Sequence, residues 1–184
     1  MNTEDRIVSA FKEMARRQGL YAIRMEDLAA QAGITKKTIY AYFAGKQELV
    51  ERVVNAFMAE TTYEVESILN KTNLVELISD AEVFLMKEGA FILNTQSLKD
   101  LQIYYPEIWQ QFLEFRIKTI GSVVEVIYTR SKKKWLQEID KSLLKEALIA
   151  INSRFSNPDF AVEIGMPIEQ ITMQMAKLFI YPYL

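Results

Sequence analysis

Met25-Glu26-Asp27-Leu28-Ala29-Ala30-Gln31-Ala32-Gly33-Ile34-Thr35-Lys36-Lys37-Thr38-Ile39-Tyr40, residues 25–40, is the stretch on which the fold turns. Met25, Leu28 and Ala29 put apolar groups on one face of a short helix running from about Arg24 to Ala32. Ala29 is small enough for a second helix to cross closely. Gly33 breaks the first helix where a left-handed turn is easily adopted. Thr35 is a natural N-cap for a third helix reaching about Phe43. Ile34 and Ile39 would anchor that helix on its predecessor, which leaves Lys36, Lys37, Thr38, Tyr40 and Tyr42 to project outward. This is helix-turn-helix grammar, and a helix so presented fits the major groove of DNA with its N-terminal residues at base edges.

Upstream, Ile7, Val8, Ala10, Phe11, Met14 and Ala15 recur at helical spacing. Thr3 is the expected cap of that first helix, with Glu4 and Asp5 in the first turn, and Gly19 is its expected stop. Downstream, Gly45 closes the third helix and a long fourth begins near Lys46, presenting Leu49, Val50, Val53 and Phe57.

The run from Gly33 through Ile39-Tyr40-Ala41-Tyr42-Phe43 to Lys46-Gln47-Glu48-Leu49 resembles the signature of the TetR family. That family shows a Gly-hydrophobic-Ser/Thr turn, an aromatic recognition helix ending in Tyr-x-x-Phe, and a Lys-x-x-Leu start to the fourth helix. The strong match covers about the first third of the chain, and the rest agrees in length, helicity and helix order. By position, the resemblance assigns Thr38 and Tyr40 to bases or adjacent phosphates, and Tyr42 and Lys46 to the DNA backbone. Two departures stand out. Ile23-Arg24 replaces the usual Ser or Thr cap of the second helix, so Arg24 is expected to meet phosphate directly. Tyr42 stands where the family often has His. The DNA-facing set is therefore Arg24, Thr35, Lys36, Lys37, Thr38, Tyr40, Tyr42 and Lys46. Each has a plainer reading in isolation: Lys36-Lys37 as a solvated face, Tyr40 and Tyr42 as packing residues.

Composition narrows the alternatives. Half of the 184 residues are apolar, with only 6 Gly and 4 Pro, as an all-α protein would have. There is no Cys, so disulfides and thiolate metal sites are excluded. There is no His, so neither a Ser-His-Asp triad nor a His-based zinc site can be built. An enzyme would need carboxylates such as Glu82, Asp100 or Glu114, which no motif organises. No catalytic residue, metal or cofactor is expected. Residues 1–52 hold 9 basic and 7 acidic side chains, a net +2, and the remainder nets −4. That suits a DNA-binding head on an acidic body. No leader-like stretch or bilayer-length apolar run is visible, so a cytoplasmic protein is expected.

The expected organisation is a head at 1–47 and an effector-binding, dimerising body at 48–184. In the body, Asn73 with Glu76 resembles a capping box for a helix to about Lys87, and Gly89 separates it from the next. Tyr105-Pro106 opens a long helix to about Arg130. A polar connection over 131–141 follows, then helices at Ser142 to Phe155 and Pro167 to about Tyr181, with a loop holding Asn157-Pro158-Asp159 and Gly165 between them. Phe84, Phe91, Asn94, Leu98, Tyr104, Trp109, Phe112, Arg116 and Asn152 form an aromatic group with a few polar members, which suits an apolar pocket or an ordinary core. The resemblance puts a small-molecule effector among these helices. It also implies that the last two helices pack against a second copy through Leu144, Leu148, Ile151, Phe155, Ile171, Met175, Leu178 and Phe179. The expected partners are thus a double-stranded DNA operator, an effector and a second copy of the chain, and no membrane. A helical module that docks protein instead of DNA is the rival reading, along with the carboxylate enzyme.

Overall fold

The computed structural model describes residues 2–69, 89–131 and 133–179. Within them the chain is helical throughout: α1 Thr3–Gln18, α2 Met25–Ala32, α3 Lys36–Tyr42, α4 Lys46–Leu69, α5 Thr95–Tyr104, α6 Pro106–Arg130, α7 Lys141–Phe155, α8 Pro158–Ile164 and α9 Ile168–Phe179. The all-α expectation holds. The helix expected over 73–87, with its Asn73 cap and Phe84, lies outside the described residues.

Local chemistry explains most of the boundaries. Asn2, not Thr3, caps α1. Its side chain accepts the Asp5 N–H at 2.8 Å, and the Asp5 carboxylate accepts the Asn2 N–H at 3.1 Å. This reciprocal box satisfies two donors that a hydroxyl at Thr3, one residue inside, could not. Gly33 adopts φ 64, ψ 38 and closes α2. Thr35 caps α3 by accepting from the Thr38 N–H at 3.1 Å. Tyr105-Pro106 starts α6 with proline in its first turn. Asp140 caps α7 through the Leu143 N–H at 3.0 Å.

Two connections carry more structure than their composition suggests. Residues Lys134–Glu138 form a 3-10 turn that buries Leu136, and the Tyr128 hydroxyl donates to the Ile139 carbonyl at 3.1 Å. The expected loop around Asn157-Pro158-Asp159 is helix α8. Asn157 accepts from the Asp159 N–H at 2.8 Å, Pro158 occupies the first turn, and Gly165 closes the helix at φ 66. The residues read as breakers are a cap, a first-turn proline and a stop.

One core runs through the molecule. Ile7, Phe11, Leu28 and Ile39 of the first three helices join Leu49, Val53 and Phe57 of α4, then Phe91, Leu98, Phe112 and Ile168. Each fully buried side chain of this size contributes about 1.5–3 kcal/mol. Helix α4 packs on α1 at one end and on α6 further along, so it is the beam between head and body. A smaller cluster of Val124, Ile127, Leu136, Leu144 and Leu148 holds the far end of α6 to α7. Among the described residues, no helix is long and apolar enough to cross a membrane.

Candidate nucleic-acid interface and internal cavity

Helix α3 is held by one buried side chain, Ile39, and presents the rest of its surface. Tyr40 and Tyr42 are 46% and 47% exposed, well beyond what a packing role requires. Lys37 is exposed, and Thr38 is partly so. Thr35 spends its hydroxyl on the cap and lies 2.8 Å from the Thr38 hydroxyl, so these two act as a pair. Lys36 bonds to the Glu26 carboxylate and lies 5.8 Å from the Tyr40 ring centroid. That contact holds the Lys36 ammonium above, and the Glu26 carboxyl below, their ordinary pKa values. Lys36 thus braces α3 on α2, while Lys37 is the freer cation. Arg24 is the exposed N-cap of α2 and makes no capping bond.

The turn has a support that the sequence reading missed. Arg6 reaches across from α1 and donates through Nη2 to the carbonyls of Ala32 at 2.6 Å and Gly33 at 3.3 Å. A cation at the C-terminus of α2 meets the negative end of that helix.

A partly open cavity lies between α4, α5, α6, α7 and α9 and measures about 270 Å³. Of the residues expected to bind a ligand, Leu98, Phe112, Arg116 and Asn152 line it. Phe91 does not. It is fully buried, packs edge-on against Phe57, and carries Lys12 5.1 Å from its ring centroid. Asn94 is the cap of α5, bonded to the Ser97 N–H and to the Phe91 carbonyl. Tyr104 faces solvent, and Trp109 packs on the main core. Phe57, Thr61, Phe115, Thr119, Ile120 and Val123 complete much of the wall. The hydroxyls of Thr61, Thr119 and Thr172 each donate to the carbonyl one turn back, at 2.8–2.9 Å. A larger hollow of about 720 Å³ lies between α6 and α7, open to solvent and with charges of both signs on its rim.

The expected dimer residues divide differently. Leu144, Leu148 and Ile171 are buried in the chain's own core, and Ile151, Phe155 and Met175 are partly so. Leu148, Ile151 and Met175 also line the cavity. Only Leu178 is exposed, at 65%, and the side chain of Phe179 lies outside the described ones. The apolar period of α7 and α9 is the one expected, but that stripe faces inward. Leu143, 64% exposed, and Met173 stand on the outer faces.

Residues 7–53, from the middle of α1 into α4, match the model of the bacterial regulatory proteins of the tetR family. The likeness to the tetR family thus falls on the helix-turn-helix and the helices that flank it. The HTH-type transcriptional regulator YvaF of Bacillus subtilis (strain 168) is 26% identical over 166 residues, covering 87% of this chain and 84% of YvaF. The TetR-family regulator PfmR of Thermus thermophilus shares the fold with a TM-score of 0.62 at 18% identity, over 96% of this chain and 98% of PfmR. The fatty acid degradation regulator FadR of Bacillus halodurans gives 0.62 at 15% identity, over 97% and 95%. The chain thus has the all-helical fold of these regulators, with an N-terminal helix-turn-helix that matches the tetR-family model and a helical C-terminal part.

The head is also tied to the body away from α4. The Tyr21 N–H donates to the Asp100 carboxylate of α5 at 2.8 Å, and the Gln96 amide donates to the same carboxylate at 2.8 Å. Tyr21 and Tyr104 stack with centroids 3.5 Å apart. Lys46 donates to the Tyr21 carbonyl and lies 5.1 Å from its ring centroid. Burial lowers the Lys46 pKa, partly offset by Asp100. Lys46, expected on the DNA backbone, is therefore engaged within the protein, with two N–H donors left. Asp100, which an enzyme reading would have recruited, is 2% exposed and holds this joint. Glu114 is exposed and bonded to Gln110, and Glu82 lies outside the described residues.

Proposed function

We propose that this regulator is a repressor, acting as a homodimer on a palindromic operator and released by a small-molecule effector. The head, residues 1–47, binds DNA through α3. Lys37, Thr38, Tyr40 and Tyr42 face the groove, and Arg24, Thr35, Lys36 and Lys46 sit at its margins. The body, residues 48–184, holds the effector and the dimer contact. The supporting observation is the reach of α4. Its Leu49, Val50 and Val53 are packed in the shared core beside the head, and its Phe57 and Thr61 line the cavity. An effector seated there touches the helix that carries the recognition element. If it prefers a state in which α4 has swung, it shifts the population away from groove spacing. The outward Leu143 and Leu178 of α7 and α9 are the surface offered to the second copy. Two recognition helices would then meet half-sites about 34–36 Å apart, or a multiple of that.

Selection of bound duplexes from a random pool tests this, with Tyr40→Ala run beside the native protein. The native protein should enrich a palindrome, and the variant should not. Affinity should fall steeply as salt rises, because phosphate contacts release counterions. Weak binding without sequence enrichment and without salt dependence would refute the DNA reading and favour a protein-docking module.

A further inference from the structure

Arg116 is the one charged side chain among the described residues that line the cavity. Its Nη2 donates to the Asn152 side-chain oxygen at 2.5 Å, and its guanidinium carbon lies 5.8 Å from the Phe112 ring centroid. No other hydrogen bond to the guanidinium and no ion pair is formed among the described residues. The contrast with Arg52 and Arg154 is plain: those stand on the surface and pair with Glu4 and Glu163. Burial alone pulls the Arg116 pKa down to about 10 from 12.5. A partly buried cation in an apolar wall gains from a counter-charge, and among the described residues Asn152 offers only a neutral oxygen, helped by the last turn of α7 on which it sits. Among the described residues, four of the five guanidinium N–H donors have no partner, and the Asn152 amide carries two more beside them.

We infer that the cavity takes an organic carboxylate, its head group on Arg116 and Asn152 and its apolar body against Phe112, Phe115, Ile120 and Val123. The inference rests on the effector-site reading above and adds the charge of the ligand to it. A planar carboxylate matches the guanidinium fork in two parallel bonds. A volume of about 270 Å³, at the low end of ligand pockets, limits the body to a chain or ring system of modest size.

Decanoate and decanol serve as matched probes, one charged and one not, titrated calorimetrically into the full chain. Decanoate should bind the native protein about tenfold or more tightly than decanol, as a charge-assisted contact implies. Arg116→Gln should erase that preference, so that the two probes bind with equal affinity. Arg116→Lys should keep part of it, which an α6–α7 staple with no ligand role would not show. Asn152→Ala, a second variant at the head group, should reduce the preference if Arg116→Gln does not fold. Equal affinity for the two probes, abolished for both by Val123→Trp in the wall, overturns carboxylate recognition and leaves the cavity as a ligand site. Binding of neither probe by the folded native protein overturns both this inference and the effector-site reading.

Discussion

Replacing Gly19 by alanine probes the joint between head and body most directly. Gly19 closes α1 with its N–H on the Ala15 carbonyl at 3.0 Å, at φ 77 and ψ 179. That backbone region is essentially restricted to glycine, and holding another residue there costs about 1–3 kcal/mol. An added Cβ would also lie 2.5 Å from the Asp100 carboxylate oxygen and 2.5 Å from the Gln96 Cγ. The Gln96 side chain can swing away. Asp100 cannot do so freely, because the oxygen that must move is the one holding the Tyr21 N–H. Losing that buried, charge-assisted bond adds about 1–3 kcal/mol. The sum is about 2–6 kcal/mol, and a chain of this size loses about 2–4 °C of Tm per kcal/mol. Gly19→Ala should therefore melt roughly 4–24 °C below the native protein in circular dichroism. Gln96→Ala added to it should return only the smaller part of the loss. A double variant as stable as the native protein, or a single variant with an unchanged Tm, would sink the argument, since neither strain nor the Asp100 contact could then be present.

Arg6→Ala removes the cation that clamps the end of α2, and should destabilise by about 1.5–3 kcal/mol in urea unfolding; a change indistinguishable from zero would mean that the two carbonyl contacts hold nothing. Tyr105 gives a pH signature: burial, Asp100 and Tyr21 push its phenol up to about 12 from 10.0. The folded state then keeps a proton that the unfolded state loses, so this contribution is whole below pH 10 and fades as pH rises toward 12. Tyr105→Phe should flatten the fall in urea midpoint across that window, and parallel curves for the two proteins would show that the phenol is not shifted. On α7, Leu143→Glu should move the protein from dimer to monomer in sedimentation at unchanged helicity, whereas Leu144→Ala, one residue along, should cost about 2–5 kcal/mol of stability as a core truncation. A dimer that survives Leu143→Glu together with Leu178→Glu would place the two-fold contact elsewhere.

What could be read from residues alone was local, and what could not was set by distance along the chain. The helix-turn-helix was legible because its turn chemistry is contained in a few consecutive residues. Gly33 takes the left-handed turn, Thr35 caps, and Ile39 is the single buried anchor of α3. Helix α8 was lost for the same locality: Asn157, Pro158 and Gly165 are each correctly turn-forming, and only their spacing shows that they bracket seven helical residues. The joint at Tyr21 and Asp100 joins residues 79 apart, and no pattern in either segment announces the other. The cavity draws its wall from five helices, and of the aromatic residues expected there only Phe112 of α6, which shares a face with Arg116, lines it. Periodicity identifies an apolar stripe but not what covers it. Leu144 and Leu148 recur at the spacing that a partner helix would require, and their own chain covers them instead. A helix that fills its inner stripe with its own core can meet a second copy only with what remains outside. The dimer hypothesis for this chain therefore rests on Leu143 and Leu178, exposed where solvent alone gives an apolar side chain nothing to gain.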